Sequence, residues 1–174
     1  KHDNRSNKIK NHKISLMKKY KLLYFVSEDE YFLSHKIDQA KSLLKNNFDV
    51  LVVCNFNENE EVIKSHGFKT KHIGLDRGSI NPFKEFLCLI RLIFIIIKFK
   101  PNFIQCIALK PILYISIISK FLRKSKMIFC VVGLGYIFIN QKKSTRILKS
   151  IYLKLIRIFL IRHKGLFVFQ NKED

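Results

Sequence analysis

Short apolar runs alternate along the chain with longer stretches in which apolar residues recur at helical spacing. The first run covers residues 22–26, the polar residues 27–30 interrupt it, and residues 33–44 continue with helical spacing. A strand, a tight polar turn and an amphipathic helix form the opening unit of a parallel sheet. Because ligands of such sheets bind at the carboxyl ends of the strands, this pattern predicts a site near residues 27–35.

The same alternation continues to the end of the sequence. Further strands are predicted at residues 49–54, 70–75, 102–108, 127–132 and 166–170. The second strand, like the first, is continuously apolar, which is typical of parallel strands that are covered on both faces. Six strands alternating with five helices predict an α/β fold with a doubly wound, Rossmann-like parallel sheet.

Capping residues mark several of the predicted helix ends. One of the asparagines at residues 46–47 is expected to take the left-handed conformation that ends the first helix. Asn57 and Glu60 have the spacing of a capping box, which predicts the start of a short helix. Asn81 and Pro82 are residue types favoured at the N-cap and first position of a helix, and a long apolar helix is predicted there.

The length of 174 residues suits one domain with a substantial core. Residues 1–19 are polar and basic and lack periodicity, so they are expected to be a disordered tail, and residues 20–174 form the predicted domain. Arg91 and Lys98 interrupt the apolar run at residues 86–99, so no transmembrane helix is predicted.

The net charge of +20 is distributed unevenly. Residues 86–172 contain 17 Lys and Arg residues and no Asp or Glu. This half of the chain therefore generates a positive field, and its candidate partners are nucleic acid, anionic lipid and phosphorylated substrates.

A helix predicted at residues 144–162 separates basic from apolar residues. Its basic side includes the candidate membrane-contact residues Arg146, Lys149, Lys154 and Arg157. Contact with an anionic membrane surface is one interpretation. The alternatives are a solvated basic face on a helix that packs against the sheet, and nucleic acid binding.

The four cysteines lie far apart within apolar runs, without metal-ligand spacing. They are Cys54, Cys88, Cys106 and Cys130. This pattern predicts buried thiols in a reducing, cytoplasmic compartment and no metal site. No bound cofactor is predicted for the chain.

Candidate ligand-binding residues follow the predicted strands at the carboxyl edge. They are Ser27, Glu28, Asp29, Ser34, His35, Arg77, Lys110, Gly133, Gly135, Tyr136 and Asn171. The acidic residues would stabilise the N-terminus of the first helix, bind sugar hydroxyls or act as a base. The basic residues would hold phosphate. The two glycines permit a tight turn or a close approach to a ligand. They lack the third glycine and the later acid of a dinucleotide-binding motif.

Four segments carry a resemblance to a known family. Residues 22–40, reading LLYFVSEDEYFLSHKIDQA, are similar to the start of the N-terminal domain of family 4-type bacterial glycosyltransferases, which have the GT-B fold. Residues 109–111, 133–138 and 167–174 resemble later motifs of the same domain, in the same order. Together these segments extend the resemblance over essentially all of residues 20–174.

The resemblance implies one half of a two-domain enzyme. The N-terminal domain of such enzymes binds the acceptor, and the nucleotide-sugar is held mainly by a C-terminal donor domain that this sequence lacks. His35, Lys110, Gly133, Gly135 and Asn171 would line the cleft between the domains. Gln105 and Cys106 stand where many relatives carry a histidine, so no catalytic residue is assigned.

The resemblance also implies a biological setting. Such sequences often act on polyprenyl-diphosphate-linked sugars in surface polysaccharide or lipid-linked glycan synthesis, so the protein is expected on the inner face of the cell membrane, with no nucleic acid partner. By itself the chain is expected to be inactive. Two alternatives stay open, namely half of a GT-B sugar-nucleotide epimerase and a non-catalytic basic module that binds anionic lipid or nucleic acid.

Overall fold

The computed structural model describes residues 19–75, 81–119, 122, 124–132, 150, 153–154, 157 and 165–169. The helices and strands in this part of the chain have the following bounds: β1 Lys21–Glu28, α1 Asp29–His35, α2 Ile37–Lys45, β2 Asp49–Asn55, α3 Glu60–Ser65, β3 Lys69–His72, α4 Pro82–Phe99, β4 Phe103–Ile107, α5 Leu109–Ile118, β5 Lys126–Val131 and β6 Leu166–Phe169. The strands form one parallel sheet in the order β3-β2-β1-β4-β5-β6. The predicted α/β, Rossmann-like fold is therefore confirmed.

The apolar strands lie in the middle of the sheet because helices cover both of its faces. Leu23 and Phe25 of β1 face the core that α4 and α5 close, and Tyr24 faces the core that α1, α2 and α3 close. At one edge, β3 reads KTKH and is largely exposed, which keeps that edge polar. The order reverses between β1 and β4, which places these two strands side by side at the centre.

Two of the predicted caps are confirmed. Asn47 takes a left-handed conformation with φ 62°, just after α2. The Asn81 Oδ1 accepts hydrogen bonds from the N–H groups of Phe83 and Lys84 at 3.0 and 3.4 Å, and Pro82 is the first residue of α4. Local sequence therefore determines both of these helix ends.

Two of the predicted local structures are wrong. The predicted first helix is two helices, α1 and α2, which meet at Lys36 with φ −124° and ψ −13°. The predicted polar turn at residues 27–30 is absent, because β1 continues to Glu28 and α1 begins at Asp29. Helical spacing continues across the break, so periodicity alone did not reveal it.

The predicted capping box is also wrong. Asn59, not Asn57, is the N-cap of α3, and its side chain makes no capping hydrogen bond. The Glu60 carboxylate instead accepts a hydrogen bond from the Thr70 hydroxyl at 2.8 Å and pairs with Lys64 at 3.1 Å. These contacts lower the pKa of Glu60, chiefly through the hydrogen bond from Thr70.

The predicted thiols are buried and free, as expected for all four cysteines. Among the described residues, no helix is both long enough and apolar enough to cross a membrane. The predicted disordered tail at residues 1–19 lies, apart from its last residue, outside the described part of the chain. Of the predicted helix at residues 144–162, residues 150, 153–154 and 157 are described, and each is helical.

Candidate functional site

The candidate site lies at the carboxyl ends of β1 and β4, where the strand order reverses. Val26 pairs with Ile107 in the sheet, so the residues that follow them leave the sheet side by side. The next helices diverge, because α1 packs on one face of the sheet and α5 on the other. A crevice opens between diverging helices of this kind, and it is the usual ligand site of open α/β sheets.

Asp29 anchors one wall of this crevice. Its side chain is fully buried, at 0% exposure. Its Oδ1 accepts a hydrogen bond from the Glu30 N–H at 2.9 Å, and its Oδ2 accepts from the N–H groups of Asn57 and Asn59 at 3.0 and 3.1 Å. Asp29 therefore ties the end of β1 to the loop after β2. Its role is structural, because the carboxylate is buried and its oxygens accept hydrogen bonds from the backbone. Direct contact with a substrate would require this carboxylate to become accessible.

His35 lies on the exposed surface of α1. Its ring stacks on Tyr31, with centroids 4.4 Å apart and planes 8° apart. The Ser34 hydroxyl donates to the Glu30 carbonyl at 2.7 Å, and the His35 Nδ1 lies 2.6 Å from Ser34 Oγ. The tautomer of the ring sets which group donates in the Ser34–His35 contact, so Nε2 is a donor in one tautomer of the neutral ring and an acceptor in the other.

The position of His35 differs from the prediction. It is the last residue of α1 rather than a residue near the start of the helix. At about 1.5 Å per residue, it lies roughly 9 Å along the helix axis from Asp29. The structure therefore brings Ser27, Glu28 and Asp29 together at the end of β1, and it holds Ser34 and His35 one helix length away.

Lys110 lies on the opposite wall, in the first turn of α5. Its Nζ is 2.7 Å from the Glu85 Oε1 of α4, and only 19% and 23% of the two side chains are exposed. This ion pair bridges the amino-terminal ends of two helices at the carboxyl edge of the sheet. The first turn of α5 contains no acid, so no charge in that turn offsets the partial positive charge of the helix N-terminus, whereas the charge of Lys110 is balanced by Glu85.

Ala108 connects β4 to α5 in an unusual conformation. Its φ of 79° and ψ of 165° lie in a region that is essentially restricted to glycine. Its N–H donates to the Cys130 carbonyl at 3.2 Å. Such strain in a non-glycine residue clusters at ligand sites, and here it occurs at the carboxyl end of a central strand.

The residue that stands where many relatives carry a histidine is buried. Gln105 is on β4, and its Nε2 donates to the Cys130 Sγ at 3.2 Å. Burial also raises the pKa of the Cys106 thiol next to it well above its ordinary value. These side chains are part of the core.

Several predicted site residues lie outside the described part of the chain. They are Arg77, Gly133, Gly135, Tyr136 and Asn171, together with Arg146 and Lys149 of the basic helix. Lys154 and Arg157 are described as exposed helical residues. Within the described ranges, no group of three His, Cys, Asp or Glu side chains is placed to hold a metal ion.

Sequence reasoning missed two features of the site. Glu85 is the last acid before the acid-free stretch at residues 86–172, which was a usable signal that it has a specific cationic partner. The conformation of Ala108 had no signal, because alanine is not a residue type that marks a positive φ.

Comparisons with known proteins identify a family and a related fold. The profile of the family described as "Glycosyl transferase 4-like" matches residues 21–171. Among solved structures, the chain is similar to a glycosyltransferase from Rickettsia africae ESF-5, with a TM-score of 0.57 and 16% sequence identity. The similarity covers 87% of this chain but 42% of that one, so the chain spans less than half the length of the solved relative. No curated protein sequence matches the chain significantly.

Proposed function

Given that this chain belongs to the glycosyl transferase 4-like family, we propose that it is the acceptor-binding half of a sugar-nucleotide-dependent glycosyltransferase. The match over residues 21–171 is the observation that carries the proposal. The chain corresponds to 42% of the solved Rickettsia enzyme, which is consistent with one of two domains. The remaining domain would hold most of the nucleotide-sugar and complete the cleft.

The crevice between β1 and β4 supports an anionic acceptor. The amino end of α5, whose first turn contains no acid, lies at the carboxyl edge and suits the phosphates of a diphosphate-linked sugar, and Lys110 would contact a phosphate by exchanging its partner Glu85 for it. Glu85 holds the Lys110 ammonium in place and limits its freedom. His35, whose Nε2 donates or accepts according to its tautomer, would exchange a hydrogen bond with a sugar hydroxyl at the outer end of the same wall as Asp29.

The proposed acceptor is a polyprenyl-diphosphate-linked glycan. The complete enzyme would transfer a hexosyl or N-acetylhexosaminyl group to it during surface polysaccharide or lipid-linked glycan synthesis, on the inner face of the cell membrane. The strongly basic second half of the chain supports this location, because it would be attracted to anionic lipid.

A transfer assay tests the division of roles. This chain alone, incubated with radiolabelled nucleotide-sugars and crude lipid acceptor, should give no turnover above a blank without protein. The same residues joined in one chain to a donor-binding domain should give transfer. Turnover by the chain alone would contradict the proposal that the donor is bound elsewhere.

The role of His35 is tested in the complete enzyme. His35→Ala should lower transfer by about 10-fold or more, which corresponds to roughly 1.4 kcal/mol of transition-state binding. His66→Ala, at the exposed C-cap of α3, is the matched control and should leave transfer unchanged. Full transfer by the His35 variant, with a lower melting temperature, would make His35 a structural residue.

A further inference from the structure

Helix α4 has apolar residues on both its inner and its outer side. Cys88, Leu92 and Ile96 are buried against the sheet. The outward side carries five exposed large apolar residues, which are Phe83, Phe86, Leu87, Phe94 and Ile97. Phe83 and Phe94 are 70% and 67% exposed. A helix on the surface of a water-soluble domain normally has a polar outer face, so this one is adapted to a second apolar environment.

Basic residues line one flank of this outward face. Lys84, Arg91 and Lys98 are each separated by seven residues, or two helical turns, and all three are exposed. They therefore form a straight row parallel to the helix axis, at intervals of roughly 10 Å. The one acid of α4, Glu85, is instead paired with Lys110 on the inner side. An apolar face with a basic flank is the pattern of helices that lie in the plane of a membrane interface.

Grooves with the same character lie on both sides of the carboxyl-terminal half of α4. One has a volume of about 730 Å³ and is lined by Ile93, Ile97, Ile118, Lys100 and Lys124, among others. The other has a volume of about 700 Å³, and its lining includes Phe94, Phe99, Lys69, Lys71 and Lys98. Both combine apolar walls with lysines at the rim, which suits an acyl chain and an anionic headgroup.

We propose that the outward face of α4 docks onto an anionic lipid bilayer, with the helix lying in the plane of the interface. The helix does not span the bilayer, because its inner side is packed on the sheet and its 18 residues include four charged ones. A second copy of the chain is a poor partner, since pairing two such faces would bring rows of like charge together in a protein of net charge +20. A bilayer of anionic lipid supplies both acyl chains for the exposed apolar residues of α4 and negative headgroups for its basic row.

This inference deepens the proposed function, because α4 begins at the carboxyl edge of the sheet. Phe83 and Phe86 occupy its first turns, next to the Glu85–Lys110 pair. With α4 in the interface, the crevice would open at the membrane surface, within reach of a lipid-linked acceptor. Lipid binding and sugar transfer are measured separately, so either proposal can fail without the other.

Co-sedimentation of the full chain with lipid vesicles tests the docking face. Vesicles of equal parts phosphatidylcholine and phosphatidylglycerol should bind the chain, and vesicles of phosphatidylcholine alone should bind it weakly. The double variant Phe86→Ser with Phe94→Ser should lower the ratio of bound to free protein by about tenfold or more. Lys84→Glu with Lys98→Glu should lower it similarly on the anionic vesicles, with little effect on the neutral ones.

Matched controls lie on the opposite face of the sheet. Val62→Ser removes an exposed apolar residue of α3, and Lys41→Glu with Lys45→Glu reverses two charges of α2. Neither control should reduce binding by more than about twofold. Circular dichroism and urea midpoints close to those of the unchanged chain would establish that each variant is folded.

Three results would overturn the proposal. The first is undiminished vesicle binding by both α4 variants. The second is loss of binding only when Arg146, Lys149 and Arg157 are changed to Glu, which would assign the contact to the helix predicted at residues 144–162. The third is a chain that self-associates through Phe86 and Phe94 and binds no lipid, which would make this face an interface between copies.

Discussion

The conformation of Ala108 leads to a prediction of unusual sign, because replacing it with glycine should stabilise the protein. A non-glycine residue in this region of φ and ψ costs about 1–3 kcal/mol, which glycine would relieve. Against this gain, glycine adds about 0.4–1 kcal/mol of unfolded-state entropy, and the half-buried methyl group contributes about 0.4 kcal/mol. Ala108→Gly should therefore raise the free energy of unfolding by about 1 kcal/mol.

The only other alanine of the chain supplies a control of opposite sign. Ala40 is fully buried in α2, so Ala40→Gly loses about 1 kcal/mol of helix propensity and about 0.8 kcal/mol of methyl burial. Urea unfolding, followed by circular dichroism, should place the midpoint of Ala108→Gly above that of the unchanged chain and the midpoint of Ala40→Gly below it. If both variants are destabilised alike, residue 108 is not strained.

The remaining predictions concern stability and are measured by urea unfolding. Asp29→Ala should lower the free energy of unfolding by about 3 kcal/mol, because three charge-assisted hydrogen bonds to backbone N–H groups are lost. Glu58→Ala, at an exposed carboxylate, is its control. Equal losses of stability in the two variants would contradict the anchoring role of Asp29. Asn81→Ala should cost about 1 kcal/mol by removing the N-cap of α4, and a midpoint that does not move would count against the cap. Burial and the nearby charge of Glu85 raise the pKa of Cys88 to about 11, whereas an unfolded thiol ionises near pH 8.5. Since the folded state then holds more protons than the unfolded state, the free energy of unfolding should fall as the pH rises from about 8.5 towards 11. The fall should be less steep in Cys88→Ala. An identical slope in that variant would show that the Cys88 thiol does not cause the pH dependence.

Much of the fold could be predicted from the sequence alone. Strands and helices are short-range patterns, so the alternation of apolar runs with helical periodicity was sufficient to predict a parallel, Rossmann-like sheet. The caps of α4 at Asn81 and of α2 at Asn47 were predictable for the same reason, because each depends on a side chain and the few residues beside it. Motifs in chain order were likewise sufficient to indicate the family, which the match over residues 21–171 confirms.

The details of the site depended on contacts between residues far apart in the sequence. Asp29 accepts hydrogen bonds from residues 28 and 30 positions away, and Lys110 pairs with an acid 25 positions away. No local pattern specifies such partners, because their approach depends on the strand order. The capping box failed for a similar reason, since Thr70 of the neighbouring strand captures the Glu60 carboxylate.

The outer face of α4 illustrates the same division. The sequence alone determined that α4 is a long apolar helix with basic residues seven positions apart. Only the tertiary structure decided which side packs on the sheet and which side stays exposed, because an apolar helix has no polar side that identifies its outer face. Periodicity records local geometry, whereas burial is decided by the elements that pack against a helix, and those elements come together only when the chain folds.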